Sequence, residues 1–157
     1  MALDQKVVNA LIWMKEILES NGIEYQIVGG TAARAHGGSR PVADIDLYID
    51  RNDAPTLMPL VADYVTKPLT HHRGNQWDLE YVQLTYNHQK IEIGLSPGAK
   101  IKDNKSNDWF AQDIDFTRSV TMSLAGISFS CMPKEDLIEY KSRLAREVDL
   151  IDIQELS

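Results

Sequence analysis

Cysteine occurs once, at Cys131, so no disulfide can close within the chain. A lone thiol fits a reducing compartment, and a cytoplasmic location is the expectation. No apolar run has the length of a membrane span, and no membrane partner is expected. The first residues lack a basic stretch followed by an apolar core, so no signal peptide is read there. Positive charge is also scarce: 16 Lys and Arg stand against 23 Asp and Glu, a formal net charge of −7. That balance argues against broad nucleic-acid binding, because such binding runs on counterions released by basic side chains. A local basic patch remains compatible with it. Internal repeats and low-complexity tracts are absent. Of four histidines, two are adjacent at His71-His72. No third ligand stands at a recognisable spacing from them, so they read as residues of a polar loop over 67–75.

What is present describes an ordinary globular domain. The 157 residues are 43% hydrophobic and 25% charged, enough for one domain with a sizeable core. Val7, Leu11, Met14 and Leu18 recur at helical spacing, with Ala10 and Ile17 widening the stripe. They predict an amphipathic scaffold helix over 2–21, capped by Asp4 and stopped at Gly22. A second helix is predicted over 53–64, with Asp53 as cap and Pro55 in its first turn. Val82, Leu84 and Tyr86, then Ile91 and Ile93, alternate around Asn87-His88-Gln89 and predict a hairpin over 78–94. A polar loop over 95–115 follows. It carries Lys100, Lys102 and Lys105 and the pair Trp109-Phe110, which suits either stacking on a base or anchoring the loop. A second hairpin over 116–131 turns at Ala125-Gly126. Pro133 opens the C-terminal helical region, where Leu137, Tyr140 and Leu144 form one apolar face and Val148, Ile151 and Leu156 a following one.

The stretch from Ile27 to Asp50 reads IVGGTAARAHGGSRPVADIDLYID, and the rest of the chain is organised around it. Tyr25 to Val28 is a short buried strand. Gly29 and Gly30 let the backbone turn sharply and approach a ligand. The short helix beginning at Thr31 would offer free N–H groups to phosphate, and the Thr31 hydroxyl suits either capping or a phosphate oxygen. Arg40, in the turn Gly37 to Pro41, suits a triphosphate, a pairing with the carboxylates that follow, or plain solvation. On the next strand Asp44, Asp46 and Tyr48 face one side, and Ile45, Leu47 and Ile49 the other. Adjacent like charges on one face are unfavourable in a purely structural strand. A divalent cation turns the repulsion into coordination.

At these residues the sequence resembles the nucleotidyltransferase superfamily, which shares the core of DNA polymerase beta. The resemblance is carried by Gly29-Gly30-Thr31 followed by Asp44-Ile45-Asp46. It implies an α/β (α+β) fold: a mixed, largely antiparallel twisted sheet with helices mainly on one face. The single domain would have its core at about 25–95 and C-terminal helices at about 133–156. The resemblance also implies a third carboxylate on a neighbouring strand, and Glu92, facing away from Ile91 and Ile93, fills that position. Asp78 and Glu80 are weaker candidates. In the tail, Lys141, Arg146 and Asp149-Leu150-Ile151-Asp152-Ile153 resemble a pattern in small bacterial members. These include relatives of antibiotic-modifying and toxin–antitoxin nucleotidyltransferases. Intrahelical pairs such as Arg146–Asp149 and Glu139–Arg143 account equally well for those charges.

The implied activity is transfer of a nucleoside monophosphate from an NTP to an acceptor hydroxyl, with release of pyrophosphate. Mg²⁺ or Mn²⁺ would be the cofactor, as two ions roughly 3.5–4 Å apart. Asp44, Asp46 and Glu92 are the expected catalytic and metal residues. Gly29, Gly30, Thr31, Arg40 and Lys141 are the expected nucleotide-binding residues, with ATP among the candidate substrates. The acceptor is open: a small molecule, tRNA or a protein. A homodimer or a toxin–antitoxin-type partner is compatible with the small size. Thr31 and Val42 depart from the commoner serine and threonine of the pattern. The alternative is a nucleotide-binding regulatory or antitoxin-like module with little turnover. A phosphohydrolase on the same carboxylates lacks a supporting histidine cluster.

Overall fold

The first helix forms where the sequence places its apolar stripe. α1 spans Gln5–Ser20 and buries Val7, Ala10, Leu11, Met14 and Leu18. The Asp4 carboxylate accepts the Lys6 N–H at 3.4 Å, and Gly22 leaves the helix at φ +65°. The computed structural model describes residues 3–157, so Ala2, where the predicted helix begins, lies outside the described residues.

Nine strands form one mixed sheet among these residues: β1 (Tyr25–Val28), β2 (Ile45–Asp50), β3 (Val65–Arg73), β4 (Trp77–Tyr86), β5 (Gln89–Ser96), β6 (Lys100–Lys102), β7 (Trp109–Ala111), β8 (Val120–Leu124) and β9 (Ile127–Cys131). The order is β7-β6-β4-β5-β2-β1-β9-β8, with β3 on the other edge of β4. β2 runs parallel to β5 and β1 parallel to β9, while the remaining pairs are antiparallel. The helices after α1 are α2 (Gly29–Ala35), α3 (Ala54–Val61), α4 (Lys134–Leu144) and α5 (Glu147–Leu156). This is the mixed, largely antiparallel α/β architecture that the motif implies. No described helix is long and apolar enough to cross a membrane.

Alternation along β2 sorts the two faces. Ile45, Leu47 and Ile49 are buried beside Ile91 and Ile93 of β5, and Val82 and Leu84 of β4 continue the layer. α1 covers this face, with Trp13 stacked on Tyr86 at 4.5 Å between ring centroids. The opposite face carries Asp46 and Tyr48 on β2, Glu92 and Gly94 on β5, and Tyr81 on β4.

Four local expectations change. Residues 65–73 are not a loop but the strand β3. Both of its faces are largely exposed, so no alternation marks it, and Pro68 lies where its register shifts. The predicted helix over 53–64 ends at Val61 and continues as a 3₁₀ turn over Ala62–Tyr64. Asp53 makes no capping bond; the Asp50 carboxylate accepts the Asn52 N–H at 2.8 Å instead. The polar stretch 95–115 contains the short strands β6 and β7, which pair with each other. Its hairpin is tied to α4 by the Asn104 N–H on the Arg143 carbonyl at 3.0 Å. The Arg143 guanidinium also lies 4.1 Å over the Phe110 ring, while Trp109 stays exposed. Both predicted hairpins form, β4–β5 through Asn87-His88 and β8–β9 through Ala125-Gly126.

In the tail α4 stops at Ala145, which is left-handed at φ 49°. α5 then buries Asp149, Asp152 and Leu156 and leaves Val148, Leu150 and Ile151 exposed. The expected Val148–Ile151 face is therefore turned out, because the two carboxylates meet the buried Lys141, with Arg40 and Arg146 beside it.

Tyr48 reaches its buried position because Gly94 faces it: a Cβ there would lie 2.5 Å from the ring. Gly94→Ala should lower stability by about 2 kcal/mol through overpacking. Urea unfolding of Gly94→Ala, Tyr48→Ala and the double variant checks this. The double variant should cost less than the sum of the singles, because the clash needs both groups.

Candidate active site

The parallel register of β2 against β5 sets Asp46 opposite Glu92 on one face. Asp44 stands just before β2, and its carboxylate lies 3.3 Å from the Lys90 ammonium, which is also 3.2 Å from Glu92. The three expected carboxylates thus come together on the rim and floor of a cleft of about 390 Å³. Gly29 and Gly30 line the same cleft, as do Arg40, Lys141 and Arg146. Its further wall is His72, Trp77, Leu79 and Tyr81 from β3 and β4.

Gly29 carries the turn into α2 at φ +66°. A Cβ there would sit 2.7 Å from the Asp46 carboxylate oxygen, so glycine serves both the backbone and the approach of the carboxylate. No side chain caps α2, which leaves its first N–H groups without a side-chain acceptor. Thr31 does not cap the helix. It is buried and donates to the Asp44 carbonyl at 3.2 Å, fastening the start of the helix to the start of the acidic strand.

Burial, then the charges of Glu92 and Asp44, push the Asp46 carboxyl up to about 7. Tyr48 and Tyr140 beside it are buried, and desolvation raises the Tyr140 hydroxyl to about 12. Among the described residues, no three His, Cys, Asp or Glu side chains stand arranged to hold a metal ion. The donor chemistry nevertheless fits a hard divalent cation: hard carboxylate oxygens meet on one face, and their mutual repulsion needs a positive charge. The ammonium of Lys90 lies between two of the three.

Arg40 and Lys141 reach the cleft as members of an ion network. The Arg40 guanidinium donates twice to Asp152, at 2.7 Å each. Lys141 is buried and meets Asp152 at 2.9 Å and Asp149 at 3.3 Å. Arg146 holds Asp149 at 2.7 and 3.1 Å and lies over the Trp77 ring. Burial favours the neutral Asp152 carboxyl, but hydrogen bonds from Arg40 and Lys141 outweigh it and hold the group below the usual carboxylate range. The intrahelical pair Arg143–Glu139 is present as well, at 3.0 Å. Asp78 and Glu80 stay outside the cluster, paired with His71 and Arg51.

Sequence reasoning missed Lys90 as a member of the site and Asp149 and Asp152 as its buried anions. A signal for Lys90 existed: it flanks Glu92 by two residues, on the same face of a strand. The ring wall needed β3, which had no periodicity to reveal it.

Solved structures define the class of this fold. A Thermotoga maritima protein described as a candidate nucleotidyltransferase superposes with a TM-score of 0.76 at 14% identity, over 97% of this chain and 92% of that one. The lincosamide antibiotic adenylyltransferase LnuA, solved with lincomycin bound, gives 0.65 at 16% identity, over 99% and 98%. ANT(2″)-Ia, solved with adenylyl-2″-tobramycin, gives 0.60 at 13% identity, over 96% and 85%. No family profile matches the chain, and no curated protein does. The fold is nucleotidyltransferase-like.

Two expectations test the electrostatics. The Asp46 carboxyl titrates higher in the folded chain than in the unfolded one, so its contribution to stability is lost as pH rises from about 4 to 7. In metal-free buffer at pH 8, Asp46→Asn should be more stable than the wild type by about 2–4 kcal/mol. The difference should vanish near pH 4; unfolding curves across that range measure it. In the tail network, Asp152→Asn should cost about 3 kcal/mol, since Arg40 and the buried Lys141 lose their shared anion. Lys141→Met should cost less, because it leaves two cations for two carboxylates.

Proposed function

We infer that the chain transfers a nucleoside monophosphate from an NTP to an acceptor hydroxyl and releases pyrophosphate. The observation that carries this reading is the register that sets Asp46 opposite Glu92, beside a glycine turn with no room for a side chain against Asp46. Asp44, Asp46 and Glu92 would hold Mg²⁺ or Mn²⁺. Bound there, the divalent charge would offset the negative charge that develops during phosphoryl transfer. Gly29 and Gly30 would bind the β- and γ-phosphates through backbone N–H groups, with Arg40 and Lys141 adding positive charge. Thr31 contributes indirectly, by fixing Asp44 through its carbonyl. Glu92, about a third exposed, would take the acceptor proton.

ATP is the first nucleotide to try and a small hydroxylated molecule the first acceptor, because two of the similar structures are antibiotic adenylyltransferases. A 390 Å³ cleft with a ring-lined wall also suits a small acceptor better than a folded macromolecule. One observation favours the second reading, a binding module with little turnover: Arg40, Lys141 and Arg146 are already paired with Asp149 and Asp152.

Calorimetric titration with each non-hydrolysable NTP in the presence of Mg²⁺ tests the proposal. The wild type should bind one nucleotide only with metal, and Asp44→Asn/Asp46→Asn should bind none. Binding without turnover across an acceptor screen would favour the binding module. A folded wild type that binds no NTP would end the nucleotide reading.

A further inference from the structure

Lys90 is a cation placed directly among the carboxylates. Its Nζ lies 3.3 Å from Asp44 Oδ2 and 3.2 Å from Glu92 Oε1. The stem starts on β5 two residues before Glu92, so both side chains leave the same face of the strand. Asp44 is brought to the same point because Ile45 pairs with Ile91 in the parallel register. The ammonium therefore spans the gap between the two strands, where the carboxylates of Asp44 and Glu92 would jointly hold an ion. Its side chain is about 40% exposed, so the flexible stem has solvent to move into.

We propose that Lys90 is a tethered cation that holds the place of a divalent ion between Asp44 and Glu92, so that a metal entering there must displace it. This rests on the carboxylate trio being a metal site, and it adds a specific consequence. Entry of an ion between Asp44 and Glu92 breaks two ion pairs, whereas an ion held by Asp46 and the remaining oxygen of Asp44 breaks neither. The two positions then differ in affinity, and the weaker one is set by a residue of this chain. Lys90 also keeps the acidic strands together when no metal is bound, by screening Asp44 from Glu92.

Mn²⁺ titration followed by electron paramagnetic resonance, without nucleotide or acceptor, is the direct test. Lys90→Met should bind Mn²⁺ on the order of tenfold more tightly at its weaker position, or show a second bound ion that the wild type lacks. Lys90→Arg, which keeps the charge, should bind as the wild type does. Thermal melts supply a second readout: Lys90→Met should melt below the wild type in EDTA and gain more from added Mn²⁺. Equal Mn²⁺ affinity, equal stoichiometry and an equal melting gain in Lys90→Met and wild type would overturn the tethered-cation role and leave the metal site standing. Absence of Mn²⁺ binding in both folded proteins would remove the metal site and the role of Lys90 with it.

Discussion

Three carboxylates that repel one another are the constraint on which this structure turns. Asp46 and Glu92 are fixed opposite each other by the hydrogen bonds of two parallel strands, so they cannot separate without breaking the centre of the sheet. Asp46 has the further burden of burial, and its carboxyl responds by holding a proton up to about pH 7. A sheet selected only for stability would place apolar or oppositely charged pairs at this register. Much of the surrounding architecture offsets the arrangement: Lys90 stands between Asp44 and Glu92, Gly29 gives Asp46 room, and Thr31 holds the Asp44 backbone.

The same charge logic explains the inverted tail. α5 exposes Val148, Leu150 and Ile151 and turns Asp149 and Asp152 inward, opposite to what apolar burial alone would choose. Three basic side chains line the cleft, and Lys141 is buried enough that an unpaired ammonium would be costly. Asp149 and Asp152 meet that cost and fix the cations in place at once. The Asp149 carboxylate also accepts the Arg146 N–H at 3.1 Å, so the residue that neutralises the network starts the helix as well. Fixed cations lose less freedom when they meet an anionic ligand than mobile ones would.

The glycine turn, the Asp-x-Asp strand and the β4–β5 hairpin were legible because each has a short-range signal: glycine pairs, same-face carboxylates, and alternation around a turn. Glu92 was legible by its parity between two isoleucines, and the register confirms the side it faces. β3 was not legible, since an edge strand exposed on both faces has no hydrophobic period to show. The direction of α5 was misread for a different reason. Val148 and Ile151 compete with Asp149 and Asp152 for the buried side, and the outcome depends in part on Arg40, which is distant in sequence. Pairings of that kind lie beyond any window read along the chain.

β3 also gives the cleft its asymmetry. Its pairing with β4 sets His72 beside Leu79, and the His72 ring meets Tyr81 edge-on at 6.1 Å between centroids. Trp77, Leu79 and Tyr81 of β4 share one face of the sheet with Glu92 and Gly94 of β5, so an apolar wall runs continuously from the acidic floor. In the proposed reaction the charged half would grip phosphate and metal but would not distinguish one nucleoside or acceptor from another, because every NTP would present it with the same groups. Discrimination in the proposed reaction therefore belongs to the ring-lined half, where shape and stacking separate one ring from the next. Trp77 joins the two halves: it lines the cleft and lies under the Arg146 guanidinium, so the packing of the ring-lined wall and the position of a cleft cation move together.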